Sequence, residues 1–165
     1  MGEIRLHNRA SYLVDTYADT ILRLSYSYLQ STADAEDITQ DILLKLLTAH
    51  TEFVSQEHEK AWIIRSTINA CKDLLKSARY SRVQALDERL ELVDETAEFD
   101  TAQFDVLAAV ESLPSTYRSS IYLRYYEGYS SKEIATLTRQ SVTAVDKQIS
   151  RGRKILKHQL EGEYA

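Results

Sequence analysis

The feature that most constrains the fold of this chain is its shortage of residues that interrupt a helix. Among its 165 residues there are one proline and four glycines. Proline removes a backbone donor and glycine lowers helix stability, so a chain with so few of them can sustain long helices. Apolar residues recur every three or four positions, and no strand-like alternation is sustained. The sequence therefore predicts an all-α protein.

Three amphipathic helices are predicted in the first half of the chain. In each, apolar residues return to one face of the helix after three or four positions. The first seam is Leu13, Tyr17, Ile21, Leu24 and Tyr28; the second is Ile38, Ile42, Leu43, Leu46 and Leu47; the third is Trp62, Ile64, Ile68, Cys71 and Leu75. Cys71 is the only cysteine, so we expect a buried thiol and no intramolecular disulfide.

Charge is strongly partitioned along the chain, although the net charge is only -5. Residues 60–82 hold six basic residues against one acid, and residues 139–158 hold the same numbers, a net charge of +5 in each segment. Between them, residues 87–105 hold eight acids against one arginine, a net charge of -7. Local fields rather than the global charge decide binding, so both basic segments are candidate nucleic-acid surfaces.

The acidic stretch interrupts the helical pattern and is typical of a linker, with a short helical piece around Leu86 to Val93. After it, Pro114 suits the start of a helix and Gly128 is placed to end one in a left-handed turn. We therefore predict two small helical domains, residues 8–82 and 104–162, joined by an acidic linker, residues 83–103.

The end of the chain predicts a helix-turn-helix. Ser130 and Glu133 form a capping box at the start of a short helix with Ile134, Ala135 and Leu137 on its apolar side. A second helix opens at Ser141 or Val142. Its inward residues are Val145, Ile149 and Leu156, and its outward residues are Lys147, Gln148, Ser150, Arg151 and Lys154. Such a helix fits the DNA major groove, although a plain helical hairpin gives the same pattern.

The motifs of the chain resemble those of extracytoplasmic-function sigma factors of the sigma-70 family. The resemblance to their second region lies in residues 34–41, Trp62-Ile63, Arg65, Ile68-Asn69 and Asp73-Leu74-Leu75. The resemblance to their fourth region lies in Leu113-Pro114, Arg118, Leu123-Arg124-Tyr125, Ser130, Glu133-Ile134-Ala135, Val145 and Arg151-Gly152-Arg153. Together the two matches cover nearly the whole chain outside the linker.

The resemblance implies that the protein binds RNA polymerase core, through the largest-subunit clamp helices and the flap, and recognises promoter DNA. The residues it implies for core binding are Asp37, Gln40, Asp41, Leu44 and Lys45. Those for the minus-10 element are Arg65, Asn69, Lys72, Lys76 and Arg79, with the loop 51–60 before them. Those for the minus-35 element are Ser130, Thr143, Lys147, Gln148, Arg151 and Lys154.

Within this resemblance, Asn69 matches the asparagine that contacts a base turned out of the stack. Trp62 is expected in the core rather than on a base. The linker is expected to pass through the polymerase channels, and an anti-sigma factor is an expected partner.

The sequence also departs from the family at two places in the helix-turn-helix. The turn reads Thr138-Arg139-Gln140, where family members usually have an apolar-glycine-apolar sequence, so we expect a looser or differently shaped turn. Asp146 replaces a residue that is commonly basic, and its carboxylate would repel a nearby phosphate. Both departures affect which side chains of the second helix contact DNA.

Other functions remain as alternatives. The chain is expected to be cytoplasmic, because it has no apolar run long enough to cross a bilayer and no signal peptide at its start. His7, His50, His58 and His158 are scattered and no phosphate loop is present, so no catalytic residue, metal, cofactor or small-molecule substrate is expected. Two alternatives stay open: a transcription regulator that never binds core polymerase, and a helical protein-binding adaptor.

Overall fold

The computed structural model describes residues 2–49, 51–85 and 109–163. In these ranges the chain is helical, with no strand, which confirms the predicted fold class. The elements are α1 (Gly2–Leu29), α2 (Thr32–Thr48), α3 (Gln56–Ala85), α4 (Ser115–Ile121), a π-helical turn (Tyr122–Tyr126), α5 (Ser131–Thr138) and α6 (Val142–Glu163). Among the described residues no helix is long and apolar enough to span a membrane.

The first three helices form one bundle around the predicted seams. All five seam residues of α1 are buried, with Ile21 and Leu24 fully excluded from solvent. On α2 the apolar side is closed by Ile38, Ile42 and Leu46. Helix α3 adds Ile63, Ile64, Ile68 and Cys71. Trp62 is half-buried and packs against this core beside Phe53, with the ring centroids 5.9 Å apart.

Caps and turns account for where the helices of the bundle begin and end. Gln30 adopts a left-handed backbone conformation with φ of 51° directly after α1, which ends that helix. Ser31 then caps α2 by accepting a hydrogen bond from the amide of Asp34 at 3.3 Å. The single cysteine, Cys71, is buried as predicted, and this burial raises the pKa of its thiol to about 12.

The structure describes residues up to 85 and again from 109, so it covers only the start of the predicted linker. Helix α3 runs to Ala85, three residues past the predicted boundary at 82, and residues 109–111 are helical. The rest of the predicted linker, its helical piece around Leu86 to Val93 and the expected domain start near Phe104 lie outside the described residues.

The C-terminal helices form the predicted helix-turn-helix around Leu123, Ile134 and Val145, each fully buried. Helix α4 starts directly after Pro114, and Gly128 has the predicted left-handed conformation, with φ of 78°. Gly152 of α6 lies against α4, where an added Cβ would fall 2.5 Å from Cδ1 of Ile121. Glycine at this position therefore permits close packing of the two helices.

Candidate nucleic-acid interface

Helix α2 presents the five residues expected to bind core polymerase on one exposed side. These residues, which we call the acidic face of α2, are Asp37, Gln40, Asp41, Leu44 and Lys45, and all are exposed. Leu44 lies on the same side with 58% of its surface exposed, beside the exposed Asp41 and Lys45. Within the described ranges neither Asp37 nor Asp41 takes part in an ion pair. Their charge and the leucine are therefore available to a partner with a basic, partly apolar surface.

Helix α3 carries the basic face predicted for the minus-10 element. Arg65, Asn69 and Lys76 are exposed on it, while the side chain of Arg79 lies outside the described part of the helix. Lys72 differs, because it is half-buried and donates a hydrogen bond to the carbonyl of Thr138 at 3.2 Å. Burial and the nearby Arg139 lower the pKa of Lys72. The predicted loop before the helix is short, since α3 already begins at Gln56.

A buried carboxylate that the sequence analysis missed anchors the first turn of α3. Glu59 is 5% exposed and accepts hydrogen bonds from Arg9 at 2.8 Å, Tyr17 at 2.8 Å and Tyr12 at 3.1 Å. Burial by itself raises the pKa of Glu59, but the hydrogen bonds from these partners outweigh it and hold that pKa below its usual value. The network ties α1 to the start of α3 and so orients the helix that carries Asn69.

The helix-turn-helix is built on the predicted capping box. Ser130 accepts a hydrogen bond from the amide of Glu133 at 3.2 Å, and the Glu133 carboxylate accepts one from the amide of Ser130 at 3.0 Å. In the turn, Arg139 occupies the left-handed conformation, with φ of 56° and ψ of 46°. The turn is therefore not looser than a glycine turn, because Arg139 adopts the conformation that glycine favours. The amide of Gln140 closes it with a hydrogen bond of 2.9 Å to Ala135.

Helix α6 exposes four of the residues predicted to contact the minus-35 element. Thr143, Lys147, Arg151 and Lys154 are exposed, and we call them the recognition face of α6. The fifth residue of α6 in that set, Gln148, was expected to point outward, but it is half-buried. Its amide accepts a hydrogen bond from Ser120 at 2.7 Å and donates another to Gln140 in the turn. Gln148, on α6, thus links the turn to α4 through these two hydrogen bonds.

A basic groove with a volume of about 500 Å³ runs beside the recognition face, and it adds residues that the sequence analysis did not select. Asp146 lies in it among four cations, so the carboxylate does not leave this surface negative. The cations that line the groove are Arg124, Arg153, Lys154 and Lys157. The i, i+4 spacing of Arg153 and Lys157 could have been found from the sequence, whereas the contribution of Arg124 required the fold. The groove can accommodate a phosphate chain that continues from the recognition face.

Two family models match this sequence, one to each helical unit. The model described as Sigma-70 region 2 matches residues 13–80, and the model described as Sigma-70, region 4 matches residues 103–156. The first match contains the acidic face of α2 and the basic face of α3. The second contains the helix-turn-helix, and together the matches cover most of the chain.

Individual sigma factors are also similar to this chain, in sequence or in fold. The chain is 29% identical to RNA polymerase sigma factor SigV of Bacillus subtilis, over 86% of this chain and 84% of that protein. It is 28% identical to ECF RNA polymerase sigma factor SigE of Mycolicibacterium smegmatis, over 90% of this chain but 60% of that longer protein. In fold it resembles sigma factor RpoE of Bartonella quintana, solved with the anti-sigma factor NepR, with a TM-score of 0.67, 19% identity, and coverage of 92% and 96% of the two chains.

Proposed function

This chain belongs to the extracytoplasmic-function group of the sigma-70 family of bacterial RNA polymerase sigma factors, and we propose which of its surfaces bind core polymerase, the minus-10 element and the minus-35 element during promoter-specific initiation. The protein binds RNA polymerase core and directs it to promoters. The observation that carries the proposal is that the region 2 match holds an exposed acidic face and a basic face on separate helices. The region 4 match holds the basic helix-turn-helix. A regulator without core polymerase, or an adaptor, is not favoured, because neither accounts for both matches.

In this proposal the acidic face of α2 docks on the clamp helices of the largest polymerase subunit. The basic face of α3, with Asn69 at its centre, binds the melted minus-10 element, where flipping a base costs a few kcal/mol that protein contacts must offset. The recognition face of α6 binds the minus-35 element, and the basic groove beside it binds phosphates. The role is one of binding in the cytoplasm rather than catalysis, and an anti-sigma factor is a proposed partner, as it is for the Bartonella protein.

In vitro transcription tests this function. Purified chain and core polymerase, mixed with fragmented genomic DNA of the source organism, are expected to give discrete transcripts that neither component yields alone. Mapping their starts should reveal a shared pair of upstream elements. If the mixture gives only the background of core polymerase, the chain does not act as a sigma factor.

Phosphate contacts and base contacts of α6 are expected to respond differently to substitution. Replacing Arg151 with alanine should weaken binding to all minus-35 sequences about equally and lower the salt dependence by about one unit of slope, because a lost phosphate contact releases one counterion fewer. Replacing Lys147, nearer the start of α6, should instead change the preferred sequence, since that end of the helix enters the groove. Binding selections at several salt concentrations measure both effects. If Arg151→Ala alters base preference and Lys147→Ala does not, the placement of α6 in the groove is wrong.

A further inference from the structure

A series of side-chain hydrogen bonds joins the turn of the helix-turn-helix to the helices on both sides of it. The hydroxyl of Ser120, on α4, donates to the amide oxygen of Gln148 at 2.7 Å, and the amide nitrogen of Gln148 donates to the amide oxygen of Gln140 in the turn. Gln140 then donates to the hydroxyl of Thr138, at the end of α5, at 3.0 Å. We call these four residues the glutamine chain.

The glutamine chain is shielded from solvent at both of its ends. Ser120 is fully excluded from solvent and Thr138 is 1% exposed, while Gln140 and Gln148 are half-buried. A buried polar group that loses its partner bears the whole cost of its lost hydration, whereas replacing both partners with apolar groups of the same shape can be nearly neutral. The two glutamines therefore depend on each other, because either one alone leaves the other short of a partner.

The turn that the glutamine chain holds is one that its own residues disfavour. Arg139 lies in the left-handed region, with φ of 56° and ψ of 46°, where a Cβ crowds the following carbonyl. Gln140 is polar, so it cannot hold the turn by apolar packing. Its side-chain bonds to Gln148 and Thr138 hold the turn instead, together with the backbone bond to Ala135.

The same bonds fix how α6 is rotated about its own axis. Gln148 directly follows Lys147 in α6, so the groups that hold Gln148 also set the direction in which Lys147 and Thr143 leave the helix. Contacts to base edges need a geometry held to about 0.5 Å, or about 10–20°. A lysine that pairs with a phosphate tolerates a larger shift, because its ammonium is a point charge on a flexible stem. A small rotation of α6 should therefore disturb base contacts more than phosphate contacts.

We propose that Gln140 and Gln148 are a matched pair of positioning residues that orients α6 and thereby sets the minus-35 sequence the chain prefers. This inference rests on the proposed function of α6, and it gives Gln148 a different role from the DNA contact that the resemblance implies. The amide of Gln148 is bonded at its oxygen to Ser120 and at its nitrogen to Gln140, so it acts through the helix rather than on a base.

Thermal unfolding of single and double variants of the full chain tests the pairing. Gln140→Leu and Gln148→Met keep side chains of similar size and remove the hydrogen bonds. We expect each to lower the unfolding midpoint by about 2–10 °C, because its former partners are left unsatisfied. The double variant should stay close to the natural midpoint, well short of the summed losses. In it, Ser120 can donate to a carbonyl of its own helix, as Ser119 does to Ser115 at 3.0 Å.

Selection of promoter DNA tests the effect on recognition. A promoter found by the transcription experiment, randomised over its minus-35 element, is selected with core polymerase and each variant. Each single variant should reduce the enrichment of the preferred sequence several-fold and keep the natural salt dependence, because the phosphate contacts of Arg151 and Lys154 remain. The double variant should regain most of the preference.

Gln159→Met is the matched control. It removes an exposed glutamine of α6 that is hydrogen-bonded to Ser112 at 3.1 Å and lies about 16 Å along the helix from Gln148. It should change neither the preferred sequence nor the salt dependence. Circular dichroism verifies the helices of every variant, and a single variant that fails to fold while the double variant folds shows the same coupling.

Additive losses of stability in the double variant would overturn the matched pair, and so would an unchanged sequence preference in both single variants. A stable double variant whose preference stays altered would show that one of the glutamines contacts DNA itself, which would overturn the positioning role. If the natural chain selects no minus-35 sequence, the proposed function of α6 fails. The coupling of the two glutamines in thermal unfolding, which is measured without DNA, would remain in that case.

Discussion

Reversing the charge of Asp37 and Asp41 together is expected to weaken binding to core polymerase on the order of 100-fold or more. Both carboxylates are exposed on the acidic face of α2. If they meet basic groups of a partner, two lysines in their place create like-charge contacts, which cost several kcal/mol. The buried side of α2 carries Ile38, Ile42 and Leu46 and is untouched, so the fold should persist. Competition binding with labelled core polymerase measures the loss, and circular dichroism verifies the helices.

A matched control separates a local contact from the change in net charge. Asp15→Lys with Glu161→Lys makes the same change in net charge at exposed positions of α1 and α6. Its affinity for core polymerase should stay within a few-fold of the natural chain, and its small loss should fade with added salt. Equal affinity of the Asp37/Asp41 variant and the natural chain at low salt would place the docking surface elsewhere. Leu44→Ala offers an uncharged test of the same face.

The sequence predicted best what depends on local periodicity and capping. The seam of α1, the Ser130 capping box and the left-handed Gly128 were all predicted, because each follows from residues a few positions apart. The five residues of the acidic face of α2 came from the family resemblance instead, and all of them lie on the exposed side of the helix.

Contacts between distant parts of the chain were not predicted. Arg118 bonds Ser27 across 91 positions, and Glu59 bonds Tyr17 across 42, so neither leaves a periodic signal. The same limit explains Lys72 and Gln148. Both were correctly assigned to helices, but each was expected on an exposed face and is half-buried because another element lies over it. Arg139 is a different case. A looser or differently shaped turn was expected because the turn has no glycine, but Arg139 itself adopts the left-handed conformation that glycine favours.

Asn69 lies at the centre of the exposed part of the basic face of α3, between Arg65 and the half-buried Lys72. Among these three residues it alone has both a donor and an acceptor on a short, uncharged side chain, which is what reading a base edge requires. Its neighbours carry charge that suits phosphates. The Glu59 network orients this helix from its first turn, so the position of Asn69 relative to the bundle is fixed by buried contacts.

Replacing Asn69 with alanine is therefore expected to cost about 1–3 kcal/mol at one position of the minus-10 element, a loss of roughly 5- to 150-fold in open-complex formation on the preferred base. Lys76→Ala is the contrasting variant, because a lost phosphate contact should reduce melting on every minus-10 sequence by a similar factor. Permanganate reactivity of complexes on a set of single-base minus-10 variants measures both. If the Asn69 variant keeps the natural order of preference across that set, the amide does not read a base, and the selectivity of the minus-10 surface comes from side chains other than Asn69.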